Sequence, residues 1–292
     1  MFKGAITAIV TPFKENDIVD EQSLRSLVEF QVKNGIDGIV PCGTTGESPT
    51  LDYVEHQKVI EIVIDAVKGK IPVIAGTGSN SAREAIEMTK KAADSGADAS
   101  LQVCPYYNKP TQEGLYRHFS AIAKAVDIPI IIYNIQGRTA VNMETSTLAK
   151  LAKEHSNIVG VKEASGNLSQ MMDVINELSK DFTVLSGDDN ITLPLMALGG
   201  KGVVSVASNI IPKEMHELTL HALNGNFEKA RDMHYRLLPL FKGIFIETNP
   251  IPIKAALAMK GMITEAYRLP LCEMKAENKE KLKKILEDLK IV

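Results

Sequence analysis

The chain has 292 residues, 45% of them hydrophobic and 24% charged, with a formal net charge of −3. That length and composition can bury a large core, either as one barrel-sized domain or as a domain with an appendage. Both charge signs are interspersed, so nucleic acid and anionic membrane surfaces are not expected as partners.

Taken in chain order, strand-like apolar runs fall at residues 4–10, 35–41, 71–75, 97–103, 128–134, 158–162, 182–186 and 202–206, with helical patterns between them. Asp20 is placed to cap a helix that stops at Asn34-Gly35, and Asp52 with Glu55 has capping-box spacing ahead of a helix to Val67. Ser81 and Glu84 repeat that spacing before a helix that stops at Ser95-Gly96. Eight strands alternating with helices predict an α/β fold, the closed (β/α)8 TIM barrel. From Pro212 onward only helical patterns remain, the last with Leu282, Ile285, Leu286 and Leu289 on one stripe. The expected division is a barrel over residues 1–224 and a C-terminal helical appendage over 225–292. No apolar run approaches membrane-spanning length and the N-terminal segment lacks a signal-peptide layout, so a cytoplasmic protein is expected. Cys42, Cys104 and Cys272 are odd in number and far apart, as free thiols would be. The six histidines show no metal-ligand spacing, and no metal is expected.

In such barrels chemistry sits at the C-terminal ends of the strands. The sixth run, Ile158 to Val161, is apolar on both faces and ends in Lys162, on the face of Gly160, which should leave space beneath the lysine stem. A lysine at a strand end commonly snorkels to water. Held instead in a low-dielectric pocket, its amine is disfavoured as ammonium and can attack a carbonyl to form a Schiff base.

The neighbouring strand ends are polar. After strand two, Gly43-Thr44-Thr45-Gly46-Glu47 reads either as a plain turn or as hydroxyls and amides converging on a small carboxylate. Strand four ends in Tyr106 and Tyr107, whose side chains diverge, so that one faces its own barrel and the other is available to a neighbouring subunit. Strand five brings Tyr133, a phenol able to relay protons, followed by a polar loop with Arg138, whose guanidinium suits a substrate carboxylate. Two acids, Asp188 and Asp189, follow strand seven and argue against a phosphate site there, while Gly199-Gly200-Lys201-Gly202 precedes strand eight and reads as a tight turn.

Gly43 to Glu47, Tyr106 to Pro110, Tyr133-Asn134 with Gly137 to Thr139, Val161 to Glu163, and Glu247 to Pro252 resemble the pyruvate-dependent class I aldolases of the N-acetylneuraminate lyase superfamily. Within it the similarity is greatest to the dihydrodipicolinate synthase family and covers nearly the whole chain. The resemblance implies a Schiff base between pyruvate and Lys162, with Thr45, Gly187 and Val204 at the pyruvate site. It implies a proton relay of Thr44, Tyr133 and Tyr107, the last supplied across a dimer interface, and Arg138 on the carboxylate of L-aspartate 4-semialdehyde. The implied product is 4-hydroxy-tetrahydrodipicolinate, for lysine and diaminopimelate biosynthesis, made without cofactor by a homotetramer built from dimers. Ser48, His56, Asn80, Glu84 and Tyr106 match a cleft where L-lysine acts as feedback inhibitor. Two departures stand out: Gln136 replaces a usual proline, implying a more mobile Arg138 loop, and Tyr53 replaces a histidine of lysine-sensitive members. The alternative reading is an aldolase of sialic or 2-keto-3-deoxy sugar acids, and a third is a ligand-binding barrel without turnover.

Overall fold

A computed structural model describes residues 2–292. Eight parallel strands, β1 (Gly4–Ala8), β2 (Gly38–Val40), β3 (Ile74–Gly76), β4 (Ala99–Val103), β5 (Ile130–Asn134), β6 (Ile158–Glu163), β7 (Thr183–Ser186) and β8 (Gly202–Ser205), form one sheet. Its order runs β2-β1-β8-β7-β6-β5-β4-β3. The two ends meet through a parallel bridge of Ile39 with Val73, backed by the Ile39 N–H donating to the Pro72 carbonyl at 3.0 Å. The result is a (β/α)8 barrel with each strand overlapping its expected run, most of them shorter, while β3 and β6 each end one residue later.

Alternation along the strands sorts the core into two layers. Ile6, Ala8, Val40, Ile74, Leu101, Ile131, Tyr133, Leu185 and Val204 fill the barrel interior. The opposite faces pack against the surrounding helices, which is why the strands read as continuous apolar runs. Asp20 caps the helix Glu21–Lys33 through Ser23 N, and Asp52 with Glu55 forms a complete capping box for Tyr53–Val67. The box expected at Ser81 is only half made. Ser81 Oγ accepts from Glu84 N, but the Glu84 carboxylate accepts from Ser79 Oγ at 2.7 Å, which leaves it facing the molecular cleft described below.

Three C-terminal helices, Phe227–Gly243, Ile251–Met259 and Ala276–Asp288, follow the last barrel helix Pro212–Leu223. Leu237, Phe241, Ile253, Leu257, Leu282 and Leu286 share one buried cluster with Leu24, Leu27, Ile60 and Val63 of the first two barrel helices. This packing brings the segment around Asn249 to the C-terminal rim of the barrel.

Candidate active site

Lys162 is paired in register with Tyr133 of β5 on one side and Leu185 of β7 on the other. It is 6% exposed, and its Nζ lies 3.9 Å from the centroid of the Tyr133 ring. Among the described residues it makes no salt bridge, so the amine is shielded yet uncommitted. The glycine that gives the stem room is Gly187, not Gly160. A Cβ on Gly187 would meet Lys162 Cε at 3.1 Å, whereas one on Gly160 would meet the Thr183 carbonyl oxygen at 2.6 Å. Gly160 therefore serves the approach of β7 to β6, and the expectation of space beneath the lysine belongs to a loop residue from the next strand.

Glu163, next in sequence, is buried on the other face. It accepts from Asn134 Nδ2 at 3.2 Å, from Ser165 N at 2.9 Å and from Gln170 Nε2 at 3.3 Å. The first of these bonds ties the end of β5 to that of β6, and the other two hold the segment after β6 against it.

The turn after β2 presents its front to the same rim. The N–H groups of Gly46 and Glu47 donate back to the carbonyls of Gly43 and Thr44 at 3.1 Å each. Those of Thr44 and Thr45 have no acceptor among the described residues, which leaves two adjacent amides for an incoming anion. Thr45 is buried and Thr44 half-buried. Glu47 adopts a left-handed φ of 54° and forms a salt bridge with Lys254, both side chains fully buried.

Arg138 sits on a helical turn, Gln136–Thr139, instead of the open loop expected there. The N–H groups of Arg138 and Thr139 donate to the Ile135 carbonyl at 3.1 and 3.0 Å, so the turn is internally tied with glutamine in place of proline. Arg138 Nη2 donates to the Asn249 carbonyl at 3.1 Å, and among the described residues the guanidinium makes no other hydrogen bond or salt bridge. A cleft of about 620 Å³ runs from Tyr133, Arg138 and Thr44 past Ser48 and His56 to Glu84 and Tyr106. Asn80 lies behind it, accepting from Tyr106 N at 3.1 Å. Burial holds the His56 imidazole down to about 4. The Ser79 hydroxyl holds the Glu84 carboxyl below its usual range.

The family model described as the dihydrodipicolinate synthetase family matches residues 1–289. The chain belongs to the dihydrodipicolinate synthetase family. A protein of Syntrophus aciditrophicus (strain SB), named 4-hydroxy-tetrahydrodipicolinate synthase, is 59% identical over 292 residues, the full length of both chains. The crystal structure of dihydrodipicolinate synthase from Aquifex aeolicus superimposes with a TM-score of 0.98 at 53% identity, covering 99% of each chain. That of the enzyme from Cyanidioschyzon merolae, solved with lysine bound, has a TM-score of 0.97 at 47% identity, covering 100% of this chain and 99% of the other.

The structure sets Lys162 against the Tyr133 ring and Gly187, and Val204 in the same interior cluster as Tyr133. Thr44 and Arg138 line the cleft together with Tyr133, while Thr45 is buried and bonded to Asn249 and does not line it. Tyr106 lines the cleft of its own chain, while Tyr107 is 91% exposed with a left-handed φ of 64°. The two tyrosines thus lie in different surroundings, both exposed, and only Tyr106 lines the cleft. Sequence reading gave no task to Glu47, Lys254, Glu163 or Asn249. Glu47, Glu163 and Asn249 stood inside the resembling runs, and only the fold reveals what they touch.

Proposed function

We propose that the chain is a Schiff-base lyase condensing pyruvate with L-aspartate 4-semialdehyde to 4-hydroxy-tetrahydrodipicolinate, within lysine and diaminopimelate synthesis. The single observation that carries this reading is the shielded, unpaired amine of Lys162 against the Tyr133 ring, in a chain similar end to end to proteins of that name.

The chemistry follows from an amine, a relay and two anion sites. Lys162 Nζ attacks C2 of pyruvate, and the carbinolamine loses water to give an iminium. The iminium is an electron sink, so a proton leaves the pyruvate methyl and the resulting enamine attacks the aldehyde carbon of the second substrate. The amine of that substrate then attacks the iminium carbon, closing the ring and freeing Lys162. One water is released for each product formed, and every electron pair is accommodated on the substrates and the Lys162 nitrogen, so the sequence of steps requires no cofactor. Tyr133 and Thr44 move the protons with Tyr107, whose exposed phenol suits service to a neighbouring subunit in a dimer of dimers. Thr45 and the free amides hold the pyruvate carboxylate, Gly187 and Val204 shape its pocket, and Arg138 holds the carboxylate of the semialdehyde.

L-Lysine is proposed as a feedback ligand at Ser48, His56, Glu84 and Tyr106, with Asn80 supporting the tyrosine. A carboxylate at Glu84 suits an ammonium, and Glu84→Gln should abolish inhibition while leaving turnover intact; unchanged inhibition would remove the site. No helix among the described residues is long and apolar enough to cross a membrane.

The principal test is product formation from the two substrates, with Lys162→Ala as control. Turnover by the wild type that vanishes in the variant supports the reading. No turnover, with retro-aldol cleavage of a sialic or 2-keto-3-deoxy sugar acid instead, transfers the chain to the aldolase reading.

A further inference from the structure

We infer that Asn249 is a positioning residue that turns the Thr45 hydroxyl into a hydrogen-bond donor for the pyruvate carboxylate. The inference rests on the function proposed above and adds a residue from the C-terminal segment to the pyruvate site.

Asn249 is 5% exposed and stands 204 residues beyond Thr45 in the chain, just ahead of the helix Ile251–Met259. Its Nδ2 donates to Thr45 Oγ1 at 3.0 Å. A hydroxyl carries one proton and two lone pairs, so an oxygen that accepts from an amide still has its proton to give. Among the described residues Thr45 Oγ1 donates to nothing. The proton is therefore free for an anion sitting over the Thr44 and Thr45 amides, and the bond from Asn249 fixes which way it points. A hydroxyl polarised by a donor is itself a better donor.

The other end of the same side chain supports this. Asn249 Oδ1 is buried without a hydrogen-bond partner. Buried polar atoms are as a rule satisfied, and leaving one bare costs stability. An asparagine kept for packing alone would gain nothing from that arrangement, whereas one kept for the bond made by its nitrogen tolerates it. Meanwhile the Asn249 main-chain carbonyl accepts from Arg138 Nη2 at 3.1 Å. One residue thus serves both substrates by separable means: its side chain faces the pyruvate side and its backbone faces the acceptor side.

That separation gives a signature no general packing role shares. Asn249→Asp keeps size and shape but presents only oxygens, which would draw the Thr45 proton inward and set a negative charge beside the carboxylate site. The expected result is a KM for pyruvate raised about tenfold or more, with the KM for aspartate 4-semialdehyde within twofold, because Arg138 retains its backbone acceptor. Should the buried charge prevent folding, Asn249→Ala removes the same bond without it and should show the same split. In a Thr45→Val background, Asn249→Ala should add no further change to the pyruvate KM. Half-saturation of borohydride trapping by pyruvate gives a second readout independent of turnover. Equal effects on both KM values, additivity with Thr45→Val, or an unchanged pyruvate KM in Asn249→Asp would each overturn the inference. A wild type that traps no pyruvate at all would overturn the functional reading with it; trapping with unchanged half-saturation in the variants would overturn this inference alone.

Discussion

Gly187 lies against the stem of Lys162: a Cβ at this position would stand 3.1 Å from Lys162 Cε, 3.3 Å from its Cγ and 2.5 Å from the Cβ of Ala164. The loop after β7 therefore helps define where the β6 amine points. The shortest of these approaches is far inside van der Waals contact, so an added methyl must move the lysine, the alanine or the loop.

Gly187→Ala should leave the barrel folded and displace the amine. A displacement of about 1 Å at a reacting centre costs on the order of 10²-fold in rate. The expected outcome is a loss of that size in kcat/KM for pyruvate, with slowed borohydride trapping on Lys162 read by intact mass. A Gly160→Ala control meets the Thr183 backbone instead and should chiefly lower the unfolding midpoint.

Tyr133 contributes a ring and a hydroxyl, and these separate by substitution. Tyr133→Phe retains the face against which Lys162 Nζ lies at 3.9 Å and removes only the proton-carrying group. Loss of a positioned acid–base group is worth about 10²–10⁴-fold. Turnover should fall by that order while equilibrium trapping of pyruvate persists; Tyr133→Leu should lose both.

The Glu47–Lys254 pair anchors the turn carrying Thr44 and Thr45 to a C-terminal helix. Both side chains are fully buried, and Lys254 Nζ also lies 4.3 Å from the Phe13 ring centroid. Burial lowers the Lys254 ammonium, with Glu47 opposing that shift. Removing one partner leaves a bare buried charge, at a cost of about 3–5 kcal/mol. Lys254→Met alone should therefore shift the urea midpoint strongly, and Glu47→Gln combined with Lys254→Met should recover part of the loss.

His56 predicts an acid sensitivity whose sign follows from its burial. Burial pushes its imidazole down to about 4 in the fold, against 6.5 for the free group. Between those values the unfolded chain binds the proton and the folded chain does not, so stability falls as pH drops from about 6.5 to about 4. The span corresponds to about 3 kcal/mol. Asp189, raised by burial to about 6, works in the opposite direction, because the folded state takes up its proton first. The measurement is therefore a difference. Wild type minus His56→Asn unfolding free energy should decline across this window and be flat above pH 7.5.

Much of the barrel was legible because periodicity is local. Buried parallel strands must be apolar on both faces, helix ends must satisfy their own N–H and C=O groups, and both requirements are written within about ten residues. The capping box at Ser81 failed for the same reason inverted: Ser79, two residues upstream, competed for Glu84, and spacing alone does not rank two acceptable partners.

By itself the sequence determined the eight strand runs, the strand that carries Lys162 and the polar residues at each strand end, since each depends on neighbours along the chain. The tertiary structure alone decided which glycine accommodates the lysine stem, that the Arg138 turn is helical, and that Asn249 meets Thr45 and Lys254 meets Glu47. Thr45 and Asn249 meet across 204 positions, Glu47 and Lys254 across 207. Closing the barrel and seating the C-terminal helices on it creates those contacts, and no local pattern encodes a distance that only closure makes short.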